Sequence, residues 1–239
     1  MANKNRFMVF VFLGCAGIMV LSFITSCGKS NGVTPATSKI QFQVVNLSPD
    51  LHPVYLYADN IIQDNRTYFT YPTPSGYFSL ANPIPPIQIR SAVSQSSTVN
   101  IISLDTVNLH AYFKYTLFVI GMNADNTIGS IFTVDTAGPP PAGRGKIRFI
   151  NASPRSTPVD IYANDKVAFQ NQVYKNVSSY ILLPPGNYDL KVTPAGQTTV
   201  ISTLPKFTIA DGKVYTMFCR GVANGADSVA FGTGMIINR

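Results

Sequence analysis

Side chains that could perform acid–base or nucleophilic chemistry are few and lie far apart in the sequence. The 239 residues include two histidines, His52 and His110, and Cys219 is the only cysteine after position 27. A serine hydrolase needs a histidine held between a serine and an acidic residue, and nothing in the spacing of these residues specifies that geometry. Cys219 lies in the apolar run YTMFCRG, which is typical of a buried thiol rather than a nucleophile. We therefore predict no catalytic residues and a protein that is not an enzyme.

Candidate metal ligands are also scattered. Asp and Asn are adjacent at 59–60, 125–126 and 164–165, and their oxygens could bind Ca²⁺. None of these pairs has the spacing of an EF-hand loop, and no cluster of Cys and His has the spacing of a zinc site. Asn and Asp side chains also stabilise turns by hydrogen-bonding to nearby backbone, and this is the interpretation that we favour. The sequence therefore predicts no metal and no cofactor.

The segment RTYFTYPTPSGYF at 66–78 combines aromatic side chains with hydroxyl groups. Exposed tyrosines beside hydroxyls could stack on a sugar ring or form a patch for a protein partner. Tyr68, Tyr71 and Tyr77 are therefore candidate partner-binding residues. The alternative is that alternate aromatics face the core while the others are scattered over the surface. The chain has no tryptophan, the usual sugar-stacking residue, which weakens the glycan interpretation.

The distribution of charge argues against a nucleic-acid partner. Lys and Arg number 18 against 11 acidic residues, all of which are aspartate. The basic residues form no clusters, and no nucleic-acid-binding motif is present. We therefore predict no nucleic-acid partner and a polar, weakly charged surface.

The first 26 residues have the three parts of an export signal. Lys4 and Arg6 precede an apolar or small run at 7–24, which ends at the tetrapeptide Ile-Thr-Ser-Cys. This tetrapeptide resembles the lipobox of bacterial lipoproteins, in which the cysteine accepts the lipid and becomes the new N-terminus. The resemblance implies that Cys27 is lipidated and that a lipid anchor holds the protein to a membrane. The alternative is an uncleaved transmembrane helix, since about 18 apolar residues nearly span a bilayer.

The rest of the chain divides into four segments. Residues 27–38 are rich in Gly, Ser, Thr and Asn and predict a flexible tether. Residues 136–145 (TAGPPPAGRG) predict a linker stiffened by proline, between domain 1 at 39–135 and domain 2 at 146–239. Runs of Val, Ile, Tyr, Phe and Thr are broken by Gly, Pro, Asn or Asp throughout both domains, which is typical of short strands.

The two domains repeat each other. NLSPDLHPVYLYADN at 46–60 is echoed by NASPRSTPVDIYAND at 151–165, and Tyr-Thr-x-Phe-x-x-Gly occurs at 115–121 and again at 215–221. Apolar residues alternate within VYLYA and VDIYA, which predicts a sheet with one face on a core. We interpret the shared residues as strand ends, turn formers and core positions, so that a function would lie in what the copies do not share.

These motifs occur in the order Asn-x-Ser-Pro, Pro-Val-x-Ile-Tyr, Leu-Pro-Pro-Gly-x-Tyr and Asp-Gly-Lys-x-Tyr-Thr in the second repeat. This order resembles the domain-of-unknown-function family numbered four-three-nine-seven, which is found as single or tandem units in bacterial envelope and secreted proteins. Residues 146–221 match well, whereas 39–121 match at both ends and poorly in the middle. The resemblance implies an all-β fold of two tandem immunoglobulin-like antiparallel β-sandwich domains, and it supplies no catalytic residues. With the lipobox, the chain is similar to a Bacteroidetes-type lipoprotein.

Three triplets resemble the Asp-Ser/Thr-small-apolar signal for O-glycosylation of exported proteins in such bacteria. They are centred on Thr106, Thr136 and Ser228. The resemblance implies that these three hydroxyls carry glycans, provided that the chain is exported.

The predicted function is that of a lipid-anchored protein of the cell envelope. It would serve as a non-catalytic binding or structural module for a glycan or an envelope protein. Two alternatives stay open: an envelope hydrolase with an unrecognised site, and a surface adhesion or fibre subunit that pairs through an open strand edge. We expect the protein to lie on the periplasmic face of the outer membrane. Similar lipoproteins that are exported to the surface resemble one another in having acidic residues soon after the cysteine, and the GKSNG that follows Cys27 has none.

Overall fold

The computed structural model describes residues 40–63, 68–94 and 97–239, apart from the side chains at 92–94. The predicted signal peptide, Cys27 and the tether lie outside the described residues, as do the first two residues of the aromatic segment. The lipidation prediction therefore stays a prediction.

All described residues lie in one compact unit that extends from Thr37 to Arg239. Their secondary structure consists of strands and a single 3-10 turn at Asp227–Val229. No helix of the described residues has the length and the apolar character needed to cross a membrane.

Eight strands form domain 1, and the following eight repeat their arrangement as domain 2. The strands of domain 1 are β1 (Gln41–Asn46), β2 (Val54–Ala58), β3 (Ile61–Ile62), β4 (Phe78–Ser79), β5 (Ile87–Ser94), β6 (Ser97–Leu104), β7 (Lys114–Ile120) and β8 (Gly129–Val134). The strands of domain 2 are β9 (Gly145–Asn151), β10 (Val159–Ala163), β11 (Lys166–Gln172), β12 (Ile181–Leu183), β13 (Gly186–Pro194), β14 (Ser202–Ile209), β15 (Val214–Arg220) and β16 (Gly232–Ile237).

Each domain contains two four-stranded sheets with the same strand order in both repeats. We name β4-β1-β7-β8 and β12-β9-β15-β16 the interface sheets, and β3-β2-β5-β6 and β11-β10-β13-β14 the distal sheets. Neighbouring strands are antiparallel except β1 beside β7 and β9 beside β15, which are parallel. The predicted all-β fold of two tandem sandwiches is confirmed, and one parallel pair in each domain is added to it.

An apolar core fills the space between the two sheets of each domain. In β2 the buried residues are Val54, Leu56 and Ala58, and the residues between them are half-buried, as the alternation predicts. Val159 and Ile161 of β10 take the matching positions in the core of domain 2. The alternating runs therefore form the distal sheets, which cover one face of each core.

The tyrosine of the repeated Tyr-Thr-x-Phe-x-x-Gly motif fixes the entry into a strand in both domains. The Tyr115 hydroxyl accepts a hydrogen bond from the His110 backbone N–H at 2.8 Å, and Tyr215 accepts one from the Ala210 N–H at 3.0 Å. Each contact resembles the tyrosine corner of immunoglobulin-like sandwiches, in which a tyrosine hydroxyl bonds to backbone a few residues upstream.

The glycine of the same motif is required by the turn that follows the strand. Gly121 and Gly221 have positive φ angles of 93° and 72°. A Cβ at Gly121 would lie 2.2 Å from the Thr127 carbonyl oxygen, and one at Gly221 would lie 2.1 Å from that of Ala230. Both the backbone conformation and the lack of space restrict these positions to glycine.

The two interface sheets pack against each other through the faces that point away from their own cores. For this reason β1, β7, β9 and β15 are buried along almost their whole length instead of at alternate residues. The rings of Phe118 and Phe218 lie with their centroids 6.2 Å apart. We name the apolar residues buried between these sheets the interdomain core: Val45, Leu47, Phe118, Ile120, Ile131, Ile150, Ala152, Phe218 and Ile236.

Candidate functional site

A buried ion pair joins the two domains beside the interdomain core. Arg148 of β9 is 4% exposed, and Asp135, which directly follows β8, is 2% exposed. The Arg148 Nη2 atom contacts the Asp135 carboxylate, and Nε donates a hydrogen bond to the Thr216 hydroxyl at 2.9 Å. Buried charges are stable only when they are paired and hydrogen-bonded, so this contact favours the domain arrangement that brings the two side chains together.

Hydroxyl groups supply the remaining hydrogen bonds of Asp135. Tyr77 and Thr116 donate to Oδ2 at 2.8 and 2.5 Å, and Thr133 donates to Oδ1 at 2.9 Å. With Arg148, these donors fill the roughly four positions at which a carboxylate accepts hydrogen bonds. The geometry leaves Asp135 no acceptor position for a substrate proton, and its role in this structure is to hold the domains together.

Tyr77, one of the three candidate partner-binding tyrosines, belongs to this polar group. Its hydroxyl accepts a hydrogen bond from Asn238 Nδ2 at 2.8 Å, and the Lys114 ammonium lies 4.8 Å from its ring centroid. Burial, with the negative charge of Asp135, raises the pKa of the Tyr77 hydroxyl. The hydroxyl therefore stays protonated and is engaged within the chain. We name these residues the interdomain polar cluster: Tyr77, Lys114, Thr116, Thr133, Asp135, Arg148, Thr216 and Asn238.

Tyr71 also lies at the boundary between the domains. Arg220 of β15 donates a hydrogen bond to the Tyr71 hydroxyl at 2.8 Å, and its guanidinium carbon lies 5.4 Å from the ring centroid. Two of the three candidate tyrosines therefore contact domain 2 through their hydroxyl groups, and the Tyr77 hydroxyl is engaged both as donor and as acceptor.

Tyr68 differs from the other two tyrosines because it is 55% exposed. Its ring meets Tyr55 edge-to-face with 6.4 Å between centroids. Beside it lies a groove of about 340 Å³, which we name the Tyr68 groove. The groove is lined by Tyr68, Phe69, Thr70, Thr73, Pro74, Ser75 and Phe78. An exposed aromatic ring beside several hydroxyls can stack on a sugar and hydrogen-bond to it.

Thr106, Thr136 and Ser228, the three predicted O-glycosylation residues, all lie at the surface. Thr136 differs in that its hydroxyl accepts a hydrogen bond from the Lys114 backbone N–H at 2.6 Å, and its neighbour Asp135 is buried in the interdomain polar cluster. Glycosylation at the three positions stays a prediction.

The side chains considered for catalysis lie apart from one another. His52 and His110 are exposed, and within the described part of the chain neither imidazole hydrogen-bonds to an aspartate or a serine. Cys219 is buried in the core of domain 2, and burial raises the pKa of its thiol. Over residues 40–63, 68–94 and 97–239, no three His, Cys or Asp side chains converge on a position where a metal ion could bind.

Comparison with protein families identifies both repeats. The family model "Domain of unknown function (DUF4397)" matches residues 40–156 and 145–232. The chain belongs to the DUF4397 family. The first match contains the eight strands of domain 1 and continues through β9, and the second contains domain 2 from β9 through β15, which confirms the predicted tandem of units of this family. The interdomain core and the interdomain polar cluster are therefore contacts between two DUF4397 units.

The chain is also similar to a solved structure that is described as "Alpha-glucan binding by a streptococcal virulence factor". It is 10% identical to this DUF4397 protein, and the match covers 74% of this chain and 91% of the other, with a TM-score of 0.22. No curated protein matches the chain.

The interdomain polar cluster contains residues that our interpretation of the sequence did not single out. Arg148 is the clearest case, because it stands in the apolar run KIRFIN of a strand. Arginine is almost never fully buried unless it is paired, so a charged residue within such a run is a signal for a buried partner. The partner itself, Asp135, was interpreted only as part of a glycosylation triplet.

Proposed function

We propose that this DUF4397 protein is a lipid-anchored, non-catalytic binding module of the cell envelope, in which two sandwiches act as one rigid body. The observation that carries the proposal is the packing of the two interface sheets, with its buried apolar residues and the Arg148–Asp135 ion pair. A pair of domains joined in this way holds its surface features at fixed distances from each other, which suits a module that presents a binding surface away from a membrane.

The Tyr68 groove is the surface that we assign to the partner. Tyr68 is the most exposed of the three candidate tyrosines, and Thr70 and Thr73 line the groove with it. The Ser75 hydroxyl also lies there, but it is engaged by the Val44 N–H and the Gly76 carbonyl oxygen. This combination suits a glycan, with a protein loop rich in apolar and hydroxyl side chains as the other partner class that the groove admits.

The lipid anchor is tested by replacing Cys27 with serine. We expect the native protein to incorporate radiolabelled palmitate and Cys27→Ser to incorporate none, because a hydroxyl does not replace the lipidated thiol. Cys15→Ser is the matched control, since it changes a cysteine inside the apolar run and should be labelled like the native protein. A native protein without label would favour an uncleaved transmembrane helix and contradict the anchor. Proteolysis of intact cells should spare the domains if they face the periplasm.

The partner is tested by capture from envelope extracts, glycans included, on the compact unit from Thr37 to Arg239. We expect Tyr68→Ala to weaken capture by up to about tenfold, because an aromatic contact contributes about 0.5–1.5 kcal/mol. Tyr68→Phe keeps the ring and should retain most of the binding. Equal capture by the native protein and by Tyr68→Ala would show that the Tyr68 groove does not bind the partner.

A further inference from the structure

A second surface cavity lies on the distal sheet of domain 2, on the side away from its core. We name it the β13 cavity; its volume is about 240 Å³, and it is lined by Tyr162, Asp165, Lys191, Thr193, Thr198 and Val200. Thr193 is 3% exposed, and among the described residues its hydroxyl has no hydrogen-bond partner. A buried hydroxyl without a partner costs free energy, so the cavity wall contains a polar group that a ligand can satisfy.

The repeat identifies what occupies the corresponding place in domain 1. Tyr57 corresponds to Tyr162, because both close the motif Pro-Val-x-x-Tyr 105 residues apart. Two residues before Tyr57, Tyr55 pairs with Arg90 across the sheet, and two residues before Tyr162, Asp160 pairs with Thr193. Arg90 of domain 1 therefore stands where domain 2 has Thr193.

The other wall residues correspond in the same way. Tyr57 pairs with Gln88, and Tyr162 pairs with Lys191, so that Gln88 and Lys191 occupy one position. Asn60 in the turn after β2 corresponds to Asp165 in the turn after β10. Domain 1 therefore provides an internal template for the β13 cavity.

In domain 1 a guanidinium group fills this position. The Arg90 guanidinium carbon lies 4.1 Å from the centroid of the Tyr57 ring. Its Nη2 atom donates hydrogen bonds to Asn60 Oδ1 and Gln88 Oε1, both at 2.6 Å. Stacking on an aromatic face together with a planar fork of donors is the contact that arginine makes better than lysine.

In domain 2 the corresponding place is open. Thr193 is too short to reach over the Tyr162 ring, and none of the described cationic side chains lies over that ring. Asp165 replaces the Asn60 amide with a carboxylate, which is a stronger acceptor for a guanidinium. Lys191 stands where Gln88 accepts from Arg90 and cannot accept in its place, so a guanidinium in domain 2 has Asp165 as its charged acceptor. Lys191 donates to Asp165 Oδ1 at 2.6 Å, whereas Oδ2 has no partner among the described residues.

We propose that the β13 cavity binds a guanidinium group presented by an arginine side chain of a partner protein. The guanidinium stacks on Tyr162 as Arg90 stacks on Tyr57 and donates to Asp165 Oδ2. After rotation of the Thr193 side chain toward the cavity, the guanidinium also gives the buried Thr193 hydroxyl its missing partner. This site goes beyond the envelope role proposed above, because its tests require neither the lipid anchor nor the Tyr68 groove.

The first test is a titration of the compact unit from Thr37 to Arg239 with N-acetyl-arginine amide, followed by backbone NMR. We expect saturable shifts at 160–167 and 191–200, with a Kd on the order of millimolar, because a single exposed cation–π contact is weak. N-acetyl-lysine amide should bind several-fold more weakly, and methyl glucoside should cause no shifts. Binding of the glucoside in place of the arginine derivative would make the cavity a sugar site and overturn the proposal.

Two substitutions test the internal template. Thr193→Arg should place a guanidinium over Tyr162, abolish binding of N-acetyl-arginine amide and leave the fold intact. Arg90→Thr should open the equivalent cavity in domain 1 and raise the stoichiometry from one to two. Unchanged binding by Thr193→Arg would overturn the proposal, as would shifts in Arg90→Thr that stay confined to domain 2.

A third substitution tests the acceptor. Asp165→Asn keeps the shape of the cavity and should weaken binding of N-acetyl-arginine amide by about tenfold, because it removes the charge from the acceptor. An unaltered Kd would contradict the assignment.

Discussion

Replacing Arg148 by methionine should lower the free energy of unfolding by about 3–5 kcal/mol, because it leaves the Asp135 carboxylate buried without its cation. Both side chains are almost fully buried, so water cannot compensate for the lost partner. For a unit of this size the loss corresponds to a fall in melting temperature of roughly 10 °C. Urea unfolding followed by tyrosine fluorescence gives the free energy directly.

Two further variants separate the unpaired charge from lost packing. Arg148→Met combined with Asp135→Asn removes both charges and should recover most of the lost stability, since replacing a whole buried ion pair is often nearly neutral. The pair of Arg155 and Asp125 also joins the two domains, but it is exposed. Arg155→Met should therefore leave the unfolding midpoint almost unchanged. Equal losses from the Arg148 and Arg155 variants would show that the buried pair has no special role.

Removing the phenylalanine ring of the Tyr-Thr-x-Phe-x-x-Gly motif in either domain should lower the free energy of unfolding as much as Arg148→Met does. Phe118→Ala and Phe218→Ala should each lower the free energy of unfolding by about 3–5 kcal/mol, because each leaves a cavity in the interdomain core. The two rings touch across the domain boundary, so the two losses should not add; we expect a coupling energy of about 0.5–3 kcal/mol in the double-mutant cycle.

The control for this cycle uses a ring that belongs to a different core. Phe169 lies in the core of domain 2, on the distal sheet, and shares no cluster with Phe118. The losses from Phe118→Ala and Phe169→Ala should therefore add within about 0.5 kcal/mol. An additive cycle for Phe118 and Phe218 would mean that these two rings do not stabilise each other across the domain boundary.

The local architecture could be predicted from the sequence because strand patterns are local. Alternation in VYLYA identified the buried positions of β2, and the repeat established that domain 2 has the same strands. The packing of one domain on the other was missed. Period-two alternation identifies one buried face, whereas the runs KYTLFVI and VYTMFCR are each apolar at five of seven positions without alternation, which is typical of strands covered on both faces.

The repeated Tyr-Thr-x-Phe-x-x-Gly motif has a role in domain packing that the sequence interpretation did not include. Its tyrosine and glycine serve the fold of each domain, as the sequence interpretation held. Its threonine and phenylalanine, however, point away from that domain's core: Phe118 and Phe218 meet in the interdomain core, and Thr116 and Thr216 belong to the interdomain polar cluster. The shared residues therefore specify the pairing of the domains as well as their folding.

The roles of the candidate tyrosines could not be read from their neighbours in sequence. Tyr71 bonds to Arg220 and Tyr77 to Asn238, which lie 149 and 161 residues further along the chain. Exposure depends on such distant partners, so residue type and local composition singled out three tyrosines of which only Tyr68 lies more than half exposed.

The central claim is that two DUF4397 units form one rigid body through their interface sheets. Residual dipolar couplings of backbone amides, measured on the compact unit from Thr37 to Arg239 in a weakly aligned medium, test it most directly. If the two units form one rigid body, the couplings from domain 1 and from domain 2 will fit a single alignment tensor of one magnitude and one orientation. Two tensors of different magnitude would mean that the domains reorient independently and would contradict the account.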